Sequence, residues 1–301
     1  MSGMVQGKAV VITGAGSGIG REFALAFAAS GAKVVVNDLA RNVETGVFAA
    51  EEVAAQIREA GGEAVANTDS VAEWQSAQHI VQAAMDSFGR IDCVVNNAGI
   101  LRDRFFFNMS PEEWSAVIDV HLSGSFYVAR AAAPHFKKQQ SGSYIHMSSS
   151  SGLIGNVGQA NYGAAKMGIA GLSKIIALDM ARYNVRSNCI VPWAWTAMTS
   201  SVPINTPEDA ARAEKNKRME PKKVAPLAVY LASDAAYDTT AQIFGVRANE
   251  IYLFSQPRVM RSVHRSEDWT PETIAEHAIP SMRSSFFDNL PGVALTTWDP
   301  I

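Results

Sequence analysis

The sequence predicts an α/β fold: a Rossmann-type, doubly wound parallel β-sheet with helices on both faces, forming a single domain. Three observations carry this. Short Val- and Ile-rich runs alternate with longer helical stretches, the first run opens into a glycine-rich turn, and three helical stretches stop at glycine. Short apolar runs bounded by glycine or polar turns read as strands buried on both faces. Their alternation with helices implies a parallel sheet, whose ligands bind beyond the C-terminal ends of the strands.

The strands are expected at Lys8–Thr13, Ala32–Asn37, Gly62–Asn67, Ile91–Asn96, Tyr144–Ser148, Val185–Val191 and Gln242–Val246. The first helix is expected over Arg21–Ser30. Gly31, Gly61 and Gly89 each follow a helical stretch, where a left-handed C-terminal cap belongs. Ser110-Pro111-Glu112-Glu113 supplies an N-cap, a proline in the first turn and a capping-box glutamate. Two long helices are expected over Pro111–Phe136 and Tyr162–Tyr183. From about Val202 to Pro221 the pattern loosens into a loop.

Composition narrows the function. The chain has 301 residues, 48% of them hydrophobic and 18% charged, which is a globular balance. A net charge of −3 leaves no basic footprint for nucleic acid or an anionic membrane. Cys93 and Cys189 are two isolated cysteines in apolar runs, which make neither a disulfide framework nor a zinc site. No His/Cys/carboxylate cluster has metal-ligand spacing, so no metal is expected. The start lacks the pattern of a secretory signal, and no run approaches the ~18 apolar residues of a membrane span. Asp299-Pro300-Ile301 is not a peroxisomal address. A soluble, cytoplasmic protein acting on a small molecule is expected.

The first strand runs into Thr13-Gly14-Ala15-Gly16-Ser17-Gly18-Ile19-Gly20 and then a helix. Glycines allow a tight turn and close approach of a pyrophosphate, which a helix N-terminus attracts. The spacing is T-G-x-x-x-G-x-G rather than G-x-G-x-x-G, and the strand-turn-helix context strengthens it. Asp38 closes the second strand 18 residues beyond Gly20. A carboxylate there accepts the ribose hydroxyls of adenosine and repels a 2′-phosphate, so NAD is expected over NADP. Asp69 and Ser70 follow the third strand and are candidates for the adenine edge. The bland readings are a ligand-free turn and a turn aspartate.

Tyr162 and Lys166 lie i, i+4 on a predicted helix and share one face. A nearby ammonium favours phenolate, lowering a pKa that is about 10 when unperturbed. Alone, such a pair is commonplace and usually solvated. With Asn96-Asn97-Ala98-Gly99, and with Ser149 thirteen residues before Tyr162, the set resembles the short-chain dehydrogenase/reductase family in order and spacing over about residues 5–250.

The resemblance implies that Tyr162 is the general acid/base, that Lys166 lowers its pKa and holds the nicotinamide ribose, and that Ser149 binds the substrate oxygen. It also implies that Gly14, Ser17, Gly18, Ile19, Gly20, Asn97, Ala98, Gly99 and Pro192, with Thr196 or Thr199, contact the cofactor. The stretches 34–39, 64–67, 97–104 and 155–162, with an extra loop around Arg41–Phe48, are similar to the (3R)-hydroxyacyl-CoA dehydrogenase part of peroxisomal multifunctional enzymes.

Two departures from the family pattern stand out. His121 occupies the place of the usual helix asparagine, as it does in that subfamily, and either joins a proton relay or packs. Trp193 and Trp195 follow Pro192 where Pro-Gly is usual, and are candidate walls of the substrate site.

The expected activity is oxidation of a secondary alcohol with NAD, with a (3R)-3-hydroxyacyl-CoA as the leading substrate. A hydroxysteroid or steroid-derived acyl-CoA is the alternative, and a non-catalytic dinucleotide sensor a third reading. Residues 1–255 are expected to form the dinucleotide-binding domain. Residues 256–301 form an extension on it or on a partner subunit, in a homodimer or homotetramer paired through the two long helices. Phe105-Phe106-Phe107 are candidates to line an acyl channel or to form an oligomer contact, and the basic run 214–223 to meet the phosphates of coenzyme A or to form a solvated helix face.

Overall fold

Eight strands line up in the order β3-β2-β1-β4-β5-β6-β7-β8 in the computed structural model, which describes residues 3–196, 206–288, 290–292 and 298–301. They are β1 (Ala9–Thr13), β2 (Lys33–Asn37), β3 (Glu63–Asn67), β4 (Cys93–Asn96), β5 (Gly142–Met147), β6 (Val185–Trp193), β7 (Ile243–Arg247) and β8 (Glu250–Leu253). Every neighbouring pair is parallel except β7 with β8. The chain therefore folds as the doubly wound, single-domain α/β protein its sequence predicts. Strand order reverses between β1 and β4, and that switch point opens the crevice where such sheets bind ligands.

Every residue of β1 is buried. Alternate side chains feed two cores, as a strand covered on both faces requires. Val10 and Ile12 pack with Val34, Val36, Phe23 and Phe27, the last two on α1 (Gly18–Ala29). Val11, Val35 and Val94 pack with Ile80 and Ala84 of α3 (Trp74–Phe88) and Val128 and Phe136 of α5 (Gly124–Gln139). Each such side chain contributes about 1.5–3 kcal/mol on burial. α2 (Ala49–Glu59) and α9 (Ala225–Ala232) cover the α1 face.

Local signals map onto local structure. Gly31, Gly61 and Gly89 all take positive φ after their helices. At α4 (Pro111–Ile118) Ser110 Oγ accepts from the Glu113 amide at 3.2 Å, and Glu113 accepts from the Ser110 amide at 3.0 Å, a complete capping box.

Helix boundaries shift where capping decides them. α1 begins at Gly18, three residues before the expected start, because Ser17 takes the N-cap position. The helix expected over Pro111–Phe136 continues to Gln139, with one π-helical turn at Asp119–Ser123 between α4 and α5. The second long helix, α7 (Ala160–Met180), ends in a 3₁₀ turn at Ala181–Tyr183. Strand β8 carries no sequence signal, because its hairpin turns through Ala248 at φ 52° rather than through an Asn-Gly or Asp-Gly pair.

Beyond Ser255 the chain forms short helical turns at Pro271–Thr273 and Ile279–Met282, with most side chains up to Leu290 exposed. It meets the body again where the Gly292 amide donates to the Gly155 carbonyl at 2.7 Å. Among the described residues no helix is long and apolar enough to cross a membrane.

Candidate active site

At the switch point lies a cleft of about 580 Å³. Its lining gathers residues from segments far apart in sequence: the turn after β1, the ends of β2 and β3, the loop after β4, the π-helical turn, the start of α7, Pro192 near the end of β6 and Thr196 beyond it.

The glycine-rich turn folds as it does for steric reasons. Gly14, at φ 63°, lies so close to the loop after β4 that a Cβ would stand 2.7 Å from Ala98 Cα. A Cβ on Gly20 would stand 2.1 Å from the Gly14 carbonyl oxygen and 2.5 Å from Asn97 Nδ2. Ser17 caps α1 with extended backbone and no side-chain hydrogen bond, so the first-turn amides lack a hydroxyl acceptor. Those amides, with the positive end of the helix dipole, make an anion site of the kind a pyrophosphate occupies. Gly20→Ala is expected to weaken NADH binding at least tenfold and to lower Tm, as titration and thermal denaturation would show. Unchanged affinity would mean that the turn does not touch the dinucleotide.

Two strand ends are fastened behind this turn. Thr13 Oγ1 accepts from the Asn97 and Ala98 amides at 3.0 and 3.1 Å, and Asn97 Nδ2 donates to the Thr13 and Gly14 carbonyls at 3.0 Å. At the end of β2, Asp38 accepts from the Gly16 amide at 2.8 Å through Oδ2 and from the Ala40 amide at 2.8 Å through Oδ1. The carboxylate is thus fixed at the cleft. Asn37 Nδ2 reaches Asn67 Oδ1 and the Asp69 carbonyl, bringing Asp69 and Ser70 to the same wall.

Opposite them sit the acid/base candidates. Ser149 follows β5 and caps the short helix α6 (Ser150–Leu153) by accepting from the Ser151 amide at 3.1 Å. Its hydroxyl lies close enough to the Tyr162 phenol to lower that group's pKa. Burial holds the Tyr162 phenol above its ordinary pKa, opposed by Ser149, so it is protonated at neutral pH. Lys166, one helical turn along α7, is buried; its Nζ donates to the Met147 carbonyl at 2.6 Å and lies 5.5 Å from the Tyr162 ring centre. Desolvation pushes its ammonium down to about 7.

His121 sits on the π-helical turn, edge-on to the Tyr162 ring at 5.2 Å. Its Nε2 lies 2.9 Å from the Ile100 amide and 2.8 Å from the Ile100 carbonyl, while its buried Nδ1 has no partner among the described residues. Desolvation, then the Lys166 charge, lowers its pKa to about 3, so the ring is neutral. Gly99 must be glycine beside it, because a Cβ would stand 2.3 Å from His121 Cε1.

Of the residues singled out from sequence, His121, Tyr162, Lys166, Gly14, Ser17, Gly18, Ile19, Gly20, Asp38, Asp69, Ser70, Asn97, Ala98, Gly99, Pro192 and Thr196 all line the cleft. Ser149 joins them through Tyr162. Thr199 lies outside the described residues. Trp193 does not line the cleft; it stacks on Phe254 at 6.3 Å and meets Tyr252 edge-on at 5.8 Å. Trp195 is likewise off the lining, its amide donating to the Met219 carbonyl at 2.7 Å. In the basic run, Lys215, Lys217 and Lys222 are each paired with a carboxylate. The Phe106 and Phe107 rings are exposed. Burial pushes the Cys93 and Cys189 thiols up to about 12 and about 11, which keeps both protonated.

Sequence reasoning missed two supporting residues. Asn161 is fully buried; its amide nitrogen donates to the Arg102 and Glu113 carbonyls at 3.0 and 2.9 Å, and its oxygen accepts from the Tyr162 amide at 2.7 Å. It pins the loop after β4 and the end of α4 to the start of α7. Ser148 Oγ donates to the Lys166 carbonyl at 2.9 Å, tying α7 to the end of β5. Only adjacency to Tyr162 and Ser149 marks either one in the sequence.

The chain matches the family model described as short chain dehydrogenase over residues 8–206. It is 44% identical over 276 residues to the peroxisomal multifunctional enzyme type 2 of Mus musculus, covering 90% of this chain and 36% of that protein. It is 40% identical over 265 residues to a hydroxyacyl-CoA dehydrogenase of Mycobacterium tuberculosis, covering 85% of this chain and 82% of that one. A solved short-chain dehydrogenase from Mycobacterium avium superposes with a TM-score of 0.85 at 40% identity, covering 96% and 99% of the two chains. With the glycine turn, Ser149, Tyr162 and Lys166 gathered around one cleft, this is an oxidoreductase acting on CH–OH groups, and it belongs to the short-chain dehydrogenase/reductase family.

Proposed function

We propose that the protein oxidises the 3-hydroxyl of a (3R)-3-hydroxyacyl-CoA to the 3-oxoacyl thioester, with NAD as acceptor. The carrying observation is Tyr162 and Lys166, one helical turn apart at the cleft, with Ser149 near the phenol, because dinucleotide binding alone needs no such set. The substrate class is supported by the name of the second relative, a hydroxyacyl-CoA dehydrogenase, and by the sequence resemblance to the dehydrogenase part of peroxisomal multifunctional enzymes. NAD is supported by the Asp38 carboxylate, which a 2′-phosphate would meet as a like charge. Arg41, three residues beyond Asp38, stacks 3.5 Å over the Phe48 ring and donates to the Gly46 carbonyl instead.

Bound in the cleft, NAD supplies the acceptor for the hydride that leaves the carbinol carbon. The turn 13–20 and the start of α1 hold its pyrophosphate, Asp38 the adenosine ribose, Asp69 and Ser70 the adenine edge. Lys166 and Tyr162 would hold the nicotinamide ribose, and Asn97, Ala98, Gly99, Pro192 and Thr196 would complete that end of the site.

Ser149 donates to the substrate oxygen, where charge develops as the carbonyl forms. Tyr162, protonated in the ligand-free protein, must first release its own proton to solvent; as phenolate its Oη then takes the hydroxyl proton. Its phenolate is favoured when Lys166 is charged: unit charges separated by the roughly 5.5 Å from Nζ to the ring centre would interact by about 3 kcal/mol at an effective dielectric of about 20. His121, neutral, holds the loop at Ile100 and the edge of the Tyr162 ring, a positioning role rather than a proton-carrying one.

Initial rates of oxidation of (3R)-3-hydroxybutyryl-CoA, a long-chain homologue and the (3S) epimers, with NAD and NADP in parallel, test this reading. Turnover of the (3R) thioesters with NAD, at least tenfold above NADP and above the (3S) epimers, is the expected result. No turnover of any thioester, with NADH still bound, would reject acyl-CoA and favour a steroid alcohol.

A further inference from the structure

Two independent chains of contact converge on the segment between Pro192 and Thr196, which forms one wall of the cleft. Both start from residues 298–301. The first is aromatic. Trp298 meets Tyr252 edge-on at 6.5 Å, Tyr252 meets Trp193 edge-on at 5.8 Å, and Trp193 stacks on Phe254 at 6.3 Å. Gly245 leaves room for this stack, since a Cβ there would stand 3.0 Å from both the Trp193 and Tyr252 rings. Trp298 is fixed in turn. Its indole Nε1 donates to Glu250 Oε1 at 2.6 Å, and buried Arg247 donates to Glu250 Oε2 at 3.0 Å and to the Trp298 carbonyl.

The second chain is ionic. Asp299 pairs with Lys215 at 2.9 Å, on the helix α8 (Pro207–Asn216). Three residues beyond that helix the Met219 carbonyl accepts from the Trp195 amide at 2.7 Å. Ala213 and Met219 are buried, so a shift of α8 moves Met219 and with it Trp195. Next in sequence, Thr196 stands 3.7 Å from where a Cβ on Gly18 would lie, over the glycine-rich turn.

We propose that Trp298 and Asp299 are positioning residues: together they clasp the wall 192–196 from outside and set its distance from the glycine-rich turn, and so the affinity for the dinucleotide. Neither residue lines the cleft. The proposal rests on the dinucleotide reading of that cleft, but not on the identity of the alcohol. It also gives Trp193 and Trp195 a purpose: one carries the aromatic path, and the other receives the ionic path through its backbone.

The test compares Trp298→Ala, Trp298→Phe, Asp299→Asn and Asp299→Glu in the full chain by two measurements. One is NADH titration; the other is amide hydrogen exchange of the ligand-free protein over residues 192–196 and 207–219. Trp298→Ala is expected to raise the NADH Kd about tenfold and Asp299→Asn about threefold, the smaller effect befitting a half-exposed ion pair. Each is expected to speed exchange in those segments while leaving β1 and β4 protected. Asp299→Glu is expected to restore both readouts, and Trp298→Phe, which keeps the ring contact, to restore affinity in part.

Faster exchange with unchanged NADH Kd would overturn the proposal, because the clasp would then be structural only. Unchanged exchange would overturn it as well. If the parent protein binds no NADH at all, the dinucleotide reading fails first, and the exchange data still report on the clasp.

Discussion

Tyr162→Phe is expected to lower kcat for thioester oxidation by about 10³-fold while leaving the NADH Kd within about threefold, since a positioned acid/base group contributes roughly 10²–10⁴-fold. The argument is steric as much as chemical. Phenylalanine keeps the ring, and with it the edge contact to His121 at 5.2 Å and the packing beside Lys166. What is lost is one hydroxyl, which lies near Ser149 and would take the substrate proton. Lys166 stays anchored to the Met147 carbonyl without help from Tyr162, so the ribose end of the cofactor site survives. Initial rates and NADH titration on the same preparation separate the two effects. Near-parental turnover would remove Tyr162 from the chemistry, and a parallel loss of NADH binding would mean that the change disturbed the cleft.

What the sequence discloses about this site is governed by distance along the chain. The glycine-rich turn is legible because one short segment must both turn and approach another backbone, and only glycine permits the 2.1 Å and 2.7 Å approaches found at Gly20 and Gly14. Tyr162 and Lys166 are legible because a helix puts i and i+4 on one face. The capping box at Ser110 is legible for the same reason: its partners are three residues apart.

Asn161 is a different case. Its partners Arg102 and Glu113 lie 59 and 48 residues away, and nothing local marks a buried asparagine as a joint between three segments. Strand β8 escapes notice because its turn uses Ala248 at a φ that alanine rarely adopts. Trp193 shows how a correct suspicion finds the wrong place. Its size and its position after Pro192 suggest a wall of the substrate site, but β6 runs two residues past its expected end and directs the ring to Tyr252 and Phe254.

The fold also makes the chemistry costly to the apoprotein. Lys166 is held by the end of β5 and by Ser148 in a position where water is excluded, with no carboxylate partner among the causes acting on its charge. A buried ammonium without a counter-ion is destabilising, and the protein answers by lowering its pKa rather than by pairing it.

Lys166→Met is therefore expected to abolish turnover and, at pH 6, to stabilise the ligand-free protein. The group titrates near 10.5 when unfolded and at about 7 when folded. Below pH 7 both states are protonated, and the folded state bears the whole cost of burying the charge. Between pH 7 and 10.5 the unfolded chain binds more protons than the native one, so wild-type stability rises with pH through that window.

A 3.5-unit difference corresponds to at most about 5 kcal/mol. Methionine loses the bond to the Met147 carbonyl, which offsets roughly 1–3 kcal/mol of that gain. A net gain of about 2 kcal/mol is expected at pH 6, shrinking through pH 8 and reversing in sign by about pH 10, where only the lost hydrogen bond remains. Urea denaturation of both proteins at pH 6, 8 and 10 measures this directly, with m-values compared to confirm that the same transition is followed. A variant less stable than the parent at pH 6 would mean that Lys166 is charged and well compensated in the ligand-free fold. The lysine would then have little pKa shift to contribute, and its hold on Tyr162 would be as strong before the dinucleotide binds as after.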